Sequence, residues 1–243
     1  MTETKPLVLD VDGTFLKTDM LFETFWAGLG TDPLATLRTT LANFRDPARL
    51  KADLARIAPL RVDLLPVNPE VADLALRSRM AGREVVLASA SDRSLVEPLA
   101  REYGLSEEVF ASDSGHNLKG EAKAKMLVET FGEGGFDYAG DSSADMPVWK
   151  RAENALVVGN VPSARALSAE GRNVVEIAGG WSWRALLKAM RPHQWVKNVL
   201  LLLAMIAAHR FDLETLIPIL WGIAAFSAAA SSIYIVNDLL DLE

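Results

Sequence analysis

The chain has 243 residues and no cysteine, so it has neither a disulfide framework nor a thiolate metal site. Its net charge is −7, and a chain with this negative average lacks the basic face that nucleic-acid binding requires. We therefore expect no nucleic-acid partner. The amino terminus is polar and then strand-like, so no signal peptide is predicted. No internal repeat or low-complexity stretch is present.

Two carboxylates follow the first apolar run of the chain. Leu7-Val8-Leu9 predicts a buried strand of a parallel sheet, and Asp10 and Asp12 come directly after it. They therefore lie at the carboxyl end of the strand, where open α/β sheets place their ligands. The two side chains share a face in strand-like backbone, and Gly13 allows a sharp turn. Their repulsion predicts a shared proton or a hard metal such as magnesium. A simple turn with a helix cap is the alternative.

Two further strand-like runs end in polar groups. Arg83 to Ser89 is apolar and stops at a hydroxyl, before a helical pattern that begins near Asp92. A hydroxyl between a strand end and a helix start lies beside free backbone N–H groups, which favours anion binding. The alternative is that Ser89 or Ser91 is simply an N-cap.

Phe136 to Ala139 forms the third run, with Asp141 at its end and Asp145 four residues later. Asp141 alone has the alternative role of a helix cap. Three apolar strands that each end in a phosphate-binding or metal-binding group are a poor fit to chance.

The order of these motifs resembles that of the haloacid dehalogenase superfamily of phosphohydrolases. The resemblance covers about residues 5 to 180 and rests on the motifs Asp10-Val11-Asp12-Gly13-Thr14, Ser89, Lys119 or Lys123, and Gly140-Asp141-Ser142-Ser143-Ala144-Asp145. It implies an α/β fold, in which a doubly wound, Rossmann-like parallel sheet carries an inserted α-helical cap.

The resemblance also implies a role for each motif residue. Asp10 would attack phosphorus, and Asp12 would protonate the leaving oxygen and then activate water. Ser89, with Ala90 and Thr14 near it, would bind the phosphoryl group. Magnesium would bind Asp10, the Asp12 carbonyl and Asp141, with Asp145 in support. Asp12 also argues against the dehalogenases of the superfamily, which lack this carboxylate. These roles agree with what phosphoryl transfer requires, namely an in-line nucleophile and positive charge around the equatorial oxygens.

The lysine of the site has two candidates. Lys119 matches the Lys-Gly form of phosphoserine phosphatase-like members, and Lys123 matches the Gly-x-x-Lys form. Either is equally compatible with a solvated surface charge. We favour Lys123, because the apolar positions that start at Leu127 anchor the helix that it would begin.

The segment from Phe15 to about Arg77 is predicted to be wholly helical, because apolar residues recur at helical spacing between prolines. An insertion at this place resembles the helical cap of the first cap class, which closes over the site and selects the substrate. Asp19 stands where phosphoserine phosphatase-like members carry a substrate-contacting carboxylate, and a helix N-cap is its alternative role.

After the site, Ala155 to Asn160 and Asn173 to Ile177 predict the last strands, and Gly179-Gly180 marks a boundary. We therefore predict a hydrolase domain over residues 1–180, with the cap over about 15–77, and a separate segment over 181–243.

The last segment has the composition of a membrane protein. Trp181 to Lys197 is basic and aromatic, and ten apolar residues follow from Val199 to Ala208. A run of ten residues by itself indicates an interfacial or buried helix. Leu216 to Val236, in contrast, has no charge over twenty-one residues, which is enough to span a bilayer. The alternative for this longer run is a buried helix of a soluble domain. We predict a transmembrane helical hairpin at the inner membrane, with the hydrolase domain on the cytoplasmic side because basic residues precede the first apolar run.

A second resemblance covers about residues 184 to 243. Arg191 to Asn198, with Lys197 and Asn198, and Asn237-Asp238-Leu239-Leu240-Asp241 resemble the opening of a UbiA-type intramembrane prenyltransferase, in particular the branch of decaprenyl-phosphate phosphoribosyltransferases. In that family an Asn-Asp-x-x-Asp-x-x-x-Asp segment after the second span binds magnesium and the donor diphosphate, and this chain carries the motif incompletely, without its last Asp. Two spans lack the bundle that would form a reaction chamber, so we expect no prenyl transfer by this chain and interpret it as part of a longer fusion.

Two functions follow. The first is a Mg²⁺-dependent phosphatase at the inner membrane, acting on a phosphorylated small-molecule or lipid-linked substrate such as a prenyl-phosphoryl pentose phosphate. The second is a domain that regulates or positions a membrane transferase. A soluble enzyme like phosphoserine phosphatase is the alternative within the enzymatic class.

Overall fold

A computed structural model describes residues 4–112, 118–179 and 183–240 of the chain. The chain divides into two compact units, Met1–Gly180 and Trp181–Glu243.

The first unit is built on a six-stranded sheet in which every pairing is parallel. The strands are β1 (Leu7–Leu9), β2 (Val85–Asp92), β3 (Phe110–Ser112), β4 (Asp137–Gly140), β5 (Asn154–Val158) and β6 (Asn173–Ile177), and their order is β3-β2-β1-β4-β5-β6. Leu9 of β1 lies opposite Leu87 of β2 and Ala139 of β4. The strand order reverses at β1, and this reversal is the place where open parallel sheets bind their ligands.

Apolar residues of the central strands are buried on both faces of the sheet. Leu7 and Leu9 pack with Leu99 on one face, whereas Val8 and Tyr138 pack with Trp149 on the other. This alternation follows from the two-residue repeat of a strand. The helices of these two layers are α4 (Pro69–Met80), α5 (Arg93–Glu102), α6 (Glu121–Phe131), α7 (Met146–Trp149) and α8 (Arg165–Ala169). Each fully buried leucine contributes about 1.5–3 kcal/mol, so both layers hold the strand ends in place.

The predicted doubly wound α/β fold is confirmed, with two differences in its strands. The short edge strand β3 was not predicted, because three residues carry too little periodicity. Strand β2 was predicted to end at Ser89 but continues to Asp92, with an irregular register to β3 between these two residues. Asp92 then caps α5 by accepting a hydrogen bond from the Ser94 N–H.

Three helices are inserted between β1 and α4: α1 (Met20–Thr31), α2 (Pro33–Asn43) and α3 (Pro47–Ile57). Each begins after an aspartate, Asp19, Asp32 or Asp46, whose carboxylate accepts a backbone N–H of the first turn. We call α1 to α3 the inserted helices.

The prediction of a wholly helical segment from 15 to 77 was wrong in its second half. Residues 58–68 are not helical apart from a short turn at Val62–Leu64, and Leu16 pairs with Val67 in an antiparallel bridge. Pro59 and Pro66 lack the N–H that a continuous helix requires there. Helix α4 belongs to the core, because its Val71 and Ala75 pack with the residues of β1.

The second unit contains α9 (Trp183–Ala189), a 3₁₀ segment (Pro192–Leu201), α10 (Leu202–Ala207) and α11 (Leu213–Leu240). Among the described residues, one helix has the length and composition to cross a membrane, namely Leu213–Asp238. Its most apolar 18 residues have a mean hydropathy of 1.8, and 11% of them are buried. The first half of the predicted hairpin is divided between the 3₁₀ segment and the six-residue α10, which is too short to span a bilayer by itself.

Candidate active site

Asp10 stands at the carboxyl end of β1, and the chain turns immediately after it. Its N–H donates to the Ala139 carbonyl at 2.9 Å, which fixes this position against β4. Gly13 has a φ of +77°, and a Cβ atom placed there would lie 2.1 Å from Oδ2 of Asp141. Only glycine permits both this backbone and the close approach of Asp141, as the sharp turn predicted from the sequence requires.

A buried lysine contacts the Asp10 carboxylate. Lys123 lies in the first turn of α6 and is only 4% exposed, and its Nζ donates to Oδ1 of Asp10 at 2.7 Å. The same Nζ donates to the Tyr138 hydroxyl at 2.9 Å and lies 4.0 Å from Oδ1 of Asp145. Lys119 lines the same cavity. Of the two candidate lysines, the structure thus brings Lys123 into contact with the first carboxylate.

Asp10, Asp141 and Asp145 form one cluster, in which one oxygen of each lies within 4.8 Å of the others. Thr14 donates its hydroxyl to Oδ1 of Asp141 at 3.5 Å. Asp145 accepts from the Tyr138 hydroxyl at 2.8 Å and, in a capping box, from the Ser142 N–H at 3.1 Å. Asp145 therefore supports the turn after β4 as well as the cluster.

The electrostatics of the cluster favour a cation. The pKa of Asp10 is raised to about 7, chiefly by burial and also by the charge of Asp145, against the lowering effect of Lys123. Burial and Asp145 also raise the pKa of Asp141 to about 6. A bound cation relieves this repulsion, and carboxylate oxygens are the ligands that Mg²⁺ prefers. The donor set therefore fits magnesium.

The Asp12 carboxylate faces other partners. It accepts from the Met20 N–H at 2.8 Å, from Lys51 Nζ at 3.1 Å and from the Ser91 hydroxyl at 2.7 Å. It is thus held where α1 and α3 meet the end of β2, and its charge also contributes to the raised pKa values of Asp10 and Asp141. The two carboxylates of the first motif are therefore equipped for different tasks.

Three polar residues at the site were missed by the sequence analysis: Lys51, Ser91 in this role, and Tyr138. Lys51 is 8% exposed, and it lies three residues before the fully buried Leu54. A charged residue on the buried face of an amphipathic helix was the available signal. Tyr138 is fully buried, and its hydroxyl bridges Lys123 and Asp145. Burial and the charges of Asp10 and Asp145 hold its pKa well above the usual value.

The remaining predicted residues lie at or beside the cavity. Ser89 is fully buried, and its Oγ accepts the Ser91 N–H at 2.9 Å, while Ala90 lines the cavity. Asp19 also lines the cavity, caps α1 by accepting the Leu21 N–H at 2.7 Å, and lies 3.5 Å from Lys51 Nζ. Asp19 therefore acts as the N-cap of α1, which was its alternative role, and also reaches the cavity.

The cavity has a volume of about 470 Å³, within the range of small-molecule sites. Its lining combines carboxylates with lysines, a composition suited to a phosphate ester together with a divalent cation. The charged residues of the lining are Asp10, Asp12, Lys17, Asp19, Lys51, Lys119, Lys123, Asp141 and Asp145.

The residues of the prenyltransferase-like motifs lie in the second unit. Asn198 donates to the Ser227 hydroxyl at 2.9 Å, and Asp238 pairs with Arg191 at 2.6 Å. Lys197 is in the 3₁₀ segment and Asn237 is in α11. Asp241 lies outside the described residues.

Comparison with known proteins places this site in a family. The family model of haloacid dehalogenase-like hydrolases matches residues 7–150. The match spans more than half of the chain, so the chain belongs to this family of hydrolases.

Curated relatives extend the comparison to the second unit. The chain is 35% identical over 242 residues to the uncharacterized protein y4nM of Sinorhizobium fredii, which covers 98% of this chain and 47% of that protein. It is also 48% identical over 63 residues to a decaprenyl-phosphate phosphoribosyltransferase of Mycobacterium tuberculosis, covering 24% of this chain and 21% of the transferase. The chain thus spans less than half the length of these relatives.

Solved structures share the fold at low identity. A protein from Bordetella pertussis Tohama I superimposes with a TM-score of 0.54 and 18% identity, covering 71% of this chain and 98% of that one. A phospho-aspartyl intermediate analogue of phosphoserine phosphatase gives a TM-score of 0.50 and 16% identity, covering 77% and 99%.

Proposed function

We propose that the chain is a Mg²⁺-dependent phosphomonoester hydrolase that works through an aspartyl-phosphate on Asp10. The observation that carries the proposal is the contact of 2.7 Å between Lys123 Nζ and Asp10 Oδ1, inside a cluster of three carboxylates. A buried carboxylate with a cation on one side and a metal-type donor set on the other is an activated nucleophile for phosphorus.

Asp10, Asp141 and Asp145 would hold the metal through their carboxylates, and Asp12 would add its backbone carbonyl. When bound, Mg²⁺ would neutralise charge on the phosphoryl oxygens and the nucleophile. The bond between phosphorus and the leaving oxygen breaks as Asp10 Oδ attacks in line. Lys123 balances charge on the nucleophile and phosphate, and we assign the support of the phosphoryl group to Ser89, Ala90 and Thr14.

Asp12 is assigned the proton transfers. It donates a proton to the leaving alcohol oxygen and then takes one from the water that hydrolyses the aspartyl-phosphate. Lys51 and Ser91 both donate to Oδ2 of Asp12, so they hold this carboxyl in one orientation. The inserted helices thereby reach the acid-base group directly.

The substrate is proposed from the second unit. Partial identity to decaprenyl-phosphate phosphoribosyltransferases supports a prenyl-phosphoryl pentose phosphate or a related sugar phosphate as the substrate. We propose the cytoplasmic side of the inner membrane for the hydrolase domain, because basic residues precede the first apolar run of the second unit. Helix α11 supports a membrane location, since its window of high hydropathy is largely exposed on the unit.

A regulatory or positioning domain of a membrane transferase is the second candidate, and the same partial identity favours it. A soluble enzyme like phosphoserine phosphatase is a third, favoured by the shared fold. Crowded carboxylates distinguish the first proposal from the second, because a purely structural domain gains nothing from their repulsion.

The test is hydrolysis of p-nitrophenyl phosphate by the full chain, with and without Mg²⁺. We expect turnover that a chelator abolishes and that Mg²⁺ restores. An Asp12→Asn variant should retain Mg²⁺ binding and lose at least about 10²-fold in rate, because proton transfer is removed. A folded chain that hydrolyses no phosphate ester in Mg²⁺ would support the regulatory role instead.

A further inference from the structure

A second cavity of about 370 Å³ opens between the inserted helices. Its lining is almost entirely carbon, with five apolar side chains: Leu21, Phe22, Phe25, Leu50 and Leu54. Two other residues, Asp19 and Thr40, complete the lining. We call this cavity the apolar groove.

The groove has a buried floor and a partly exposed rim. Leu54 is fully buried and Leu50 is 7% exposed, whereas Phe22 on α1 is 45% exposed. The Thr40 hydroxyl donates to the Thr36 carbonyl at 2.8 Å, so its hydrogen-bonding capacity is used within α2. An apolar occupant therefore fits the groove without leaving a buried polar group unsatisfied.

The groove adjoins the active site through two elements. Asp19 lines both cavities. One turn of α3 also serves both, since Leu50 and Leu54 line the groove while Lys51 between them reaches Oδ2 of Asp12 at 3.1 Å. The groove therefore lies on the Asp12 side of the active site.

That side is where the leaving alcohol must depart, because the acid that protonates the leaving oxygen is Asp12. We infer that the apolar groove binds an apolar chain on the leaving alcohol of the phosphomonoester substrate. The inference rests on the proposed function and narrows its substrate class to esters with a hydrocarbon part, as in an amphipathic or lipid-linked phosphate. A small polar alcohol such as serine would leave the groove unfilled.

The test is a series of linear alkyl phosphates, from ethyl to octyl, kept below micelle-forming concentrations. It uses the full chain held in an amphipathic polymer with Mg²⁺. We expect kcat/KM to rise once the chain reaches the groove, by up to about fourfold for each added methylene that is buried. All substrates are compared on the same protein preparation, so the slope of kcat/KM against chain length does not depend on the fraction of protein that is folded.

Two matched variants locate the effect. Phe22→Ser places a hydroxyl on the rim of the groove and should flatten the slope. Phe44→Ser, at the end of α2 and outside the groove, changes another exposed phenylalanine and should keep the slope. If kcat/KM rises equally with chain length in the unsubstituted chain and in both variants, the effect arises outside the groove and the inference is overturned.

A series without any slope, in an enzyme that hydrolyses every ester, also overturns the inference and leaves the proposed function intact. The groove would then hold something other than substrate, such as a segment of a partner protein. Absence of hydrolysis for all esters would instead contradict the proposed function itself, and with it the inference.

Discussion

Replacing Lys123 with methionine tests the charge arrangement around the nucleophile. The substitution keeps the length of the side chain but removes the cation that lies 2.7 Å from Asp10 Oδ1 and 4.0 Å from Asp145 Oδ1. Burial already raises the pKa of Asp10 to about 7 in the presence of Lys123. Without the lysine this pKa rises further, so Asp10 is largely protonated at neutral pH and a poor nucleophile.

The two expected effects differ in size. Loss of a group that stabilises transition-state charge costs about 10²- to 10³-fold in kcat, equivalent to about 2.7–4 kcal/mol. Breaking a buried ion pair typically costs about 3–5 kcal/mol of stability, but protonation of Asp10 relieves its unpaired charge. We therefore expect a small loss of stability near neutral pH, together with a large loss of rate.

The assay is hydrolysis of p-nitrophenyl phosphate in saturating Mg²⁺, with thermal unfolding measured on the same preparations. Lys119→Met is the matched control, since Lys119 lines the cavity four residues earlier in the chain. It should lose less than about tenfold. If Lys119→Met is inactive while Lys123→Met turns over normally, Lys123 is not the lysine of the active site. The contact between Lys123 and Asp10 would then not indicate a catalytic role.

Three further predictions address the metal, the turn and the second unit. Because folding raises the pKa of Asp10 above its ordinary value of 3.8, the metal-free protein should lose about 2–3 kcal/mol of stability as pH rises from about 5 to 8. Mg²⁺ should restore more stability at the higher pH, and an equal gain at both would contradict this. Gly13→Ala should weaken Mg²⁺ binding at least about tenfold by displacing Asp141, whereas Gly82→Ala, with a φ of +75° in open space, bears similar backbone strain and should bind Mg²⁺ normally. The full chain should sediment with membranes and resist carbonate extraction, and a chain cut after Gly180 should be soluble and active; precipitation of the cut chain beside a freely soluble full chain would refute the division into two units.

The positions of the strand ends that carry the carboxylates could be predicted from the sequence. Runs such as Leu7-Val8-Leu9 are short, apolar and followed by carboxylates, and parallel packing brings such ends to one edge of the sheet. The proximity of Asp10 to Asp141 and Asp145 follows from that geometry. Local pattern and topology together were therefore sufficient for this part of the site.

Contacts that depend on tertiary packing could not be predicted from the sequence in the same way. Lys51 and Asp12 are 39 residues apart in the chain, and they meet only because α3 folds back over the end of β2. Tyr138 resembles any other residue of a buried strand until Lys123 and Asp145 are placed on either side of its hydroxyl. Proline positions gave the limits of the inserted helices but not the return of the chain through the Leu16–Val67 bridge.

The central claim, that Asp10 carries the phosphoryl group, is tested most directly by trapping the intermediate. The full chain is mixed with a radiolabelled phosphate ester and Mg²⁺, quenched in acid during turnover, and digested for peptide mapping. We expect a hydroxylamine-labile label on the peptide that contains Asp10, absent from an Asp10→Asn variant whose turnover falls at least about 10³-fold. A label on another residue, or normal turnover by Asp10→Asn, would contradict it.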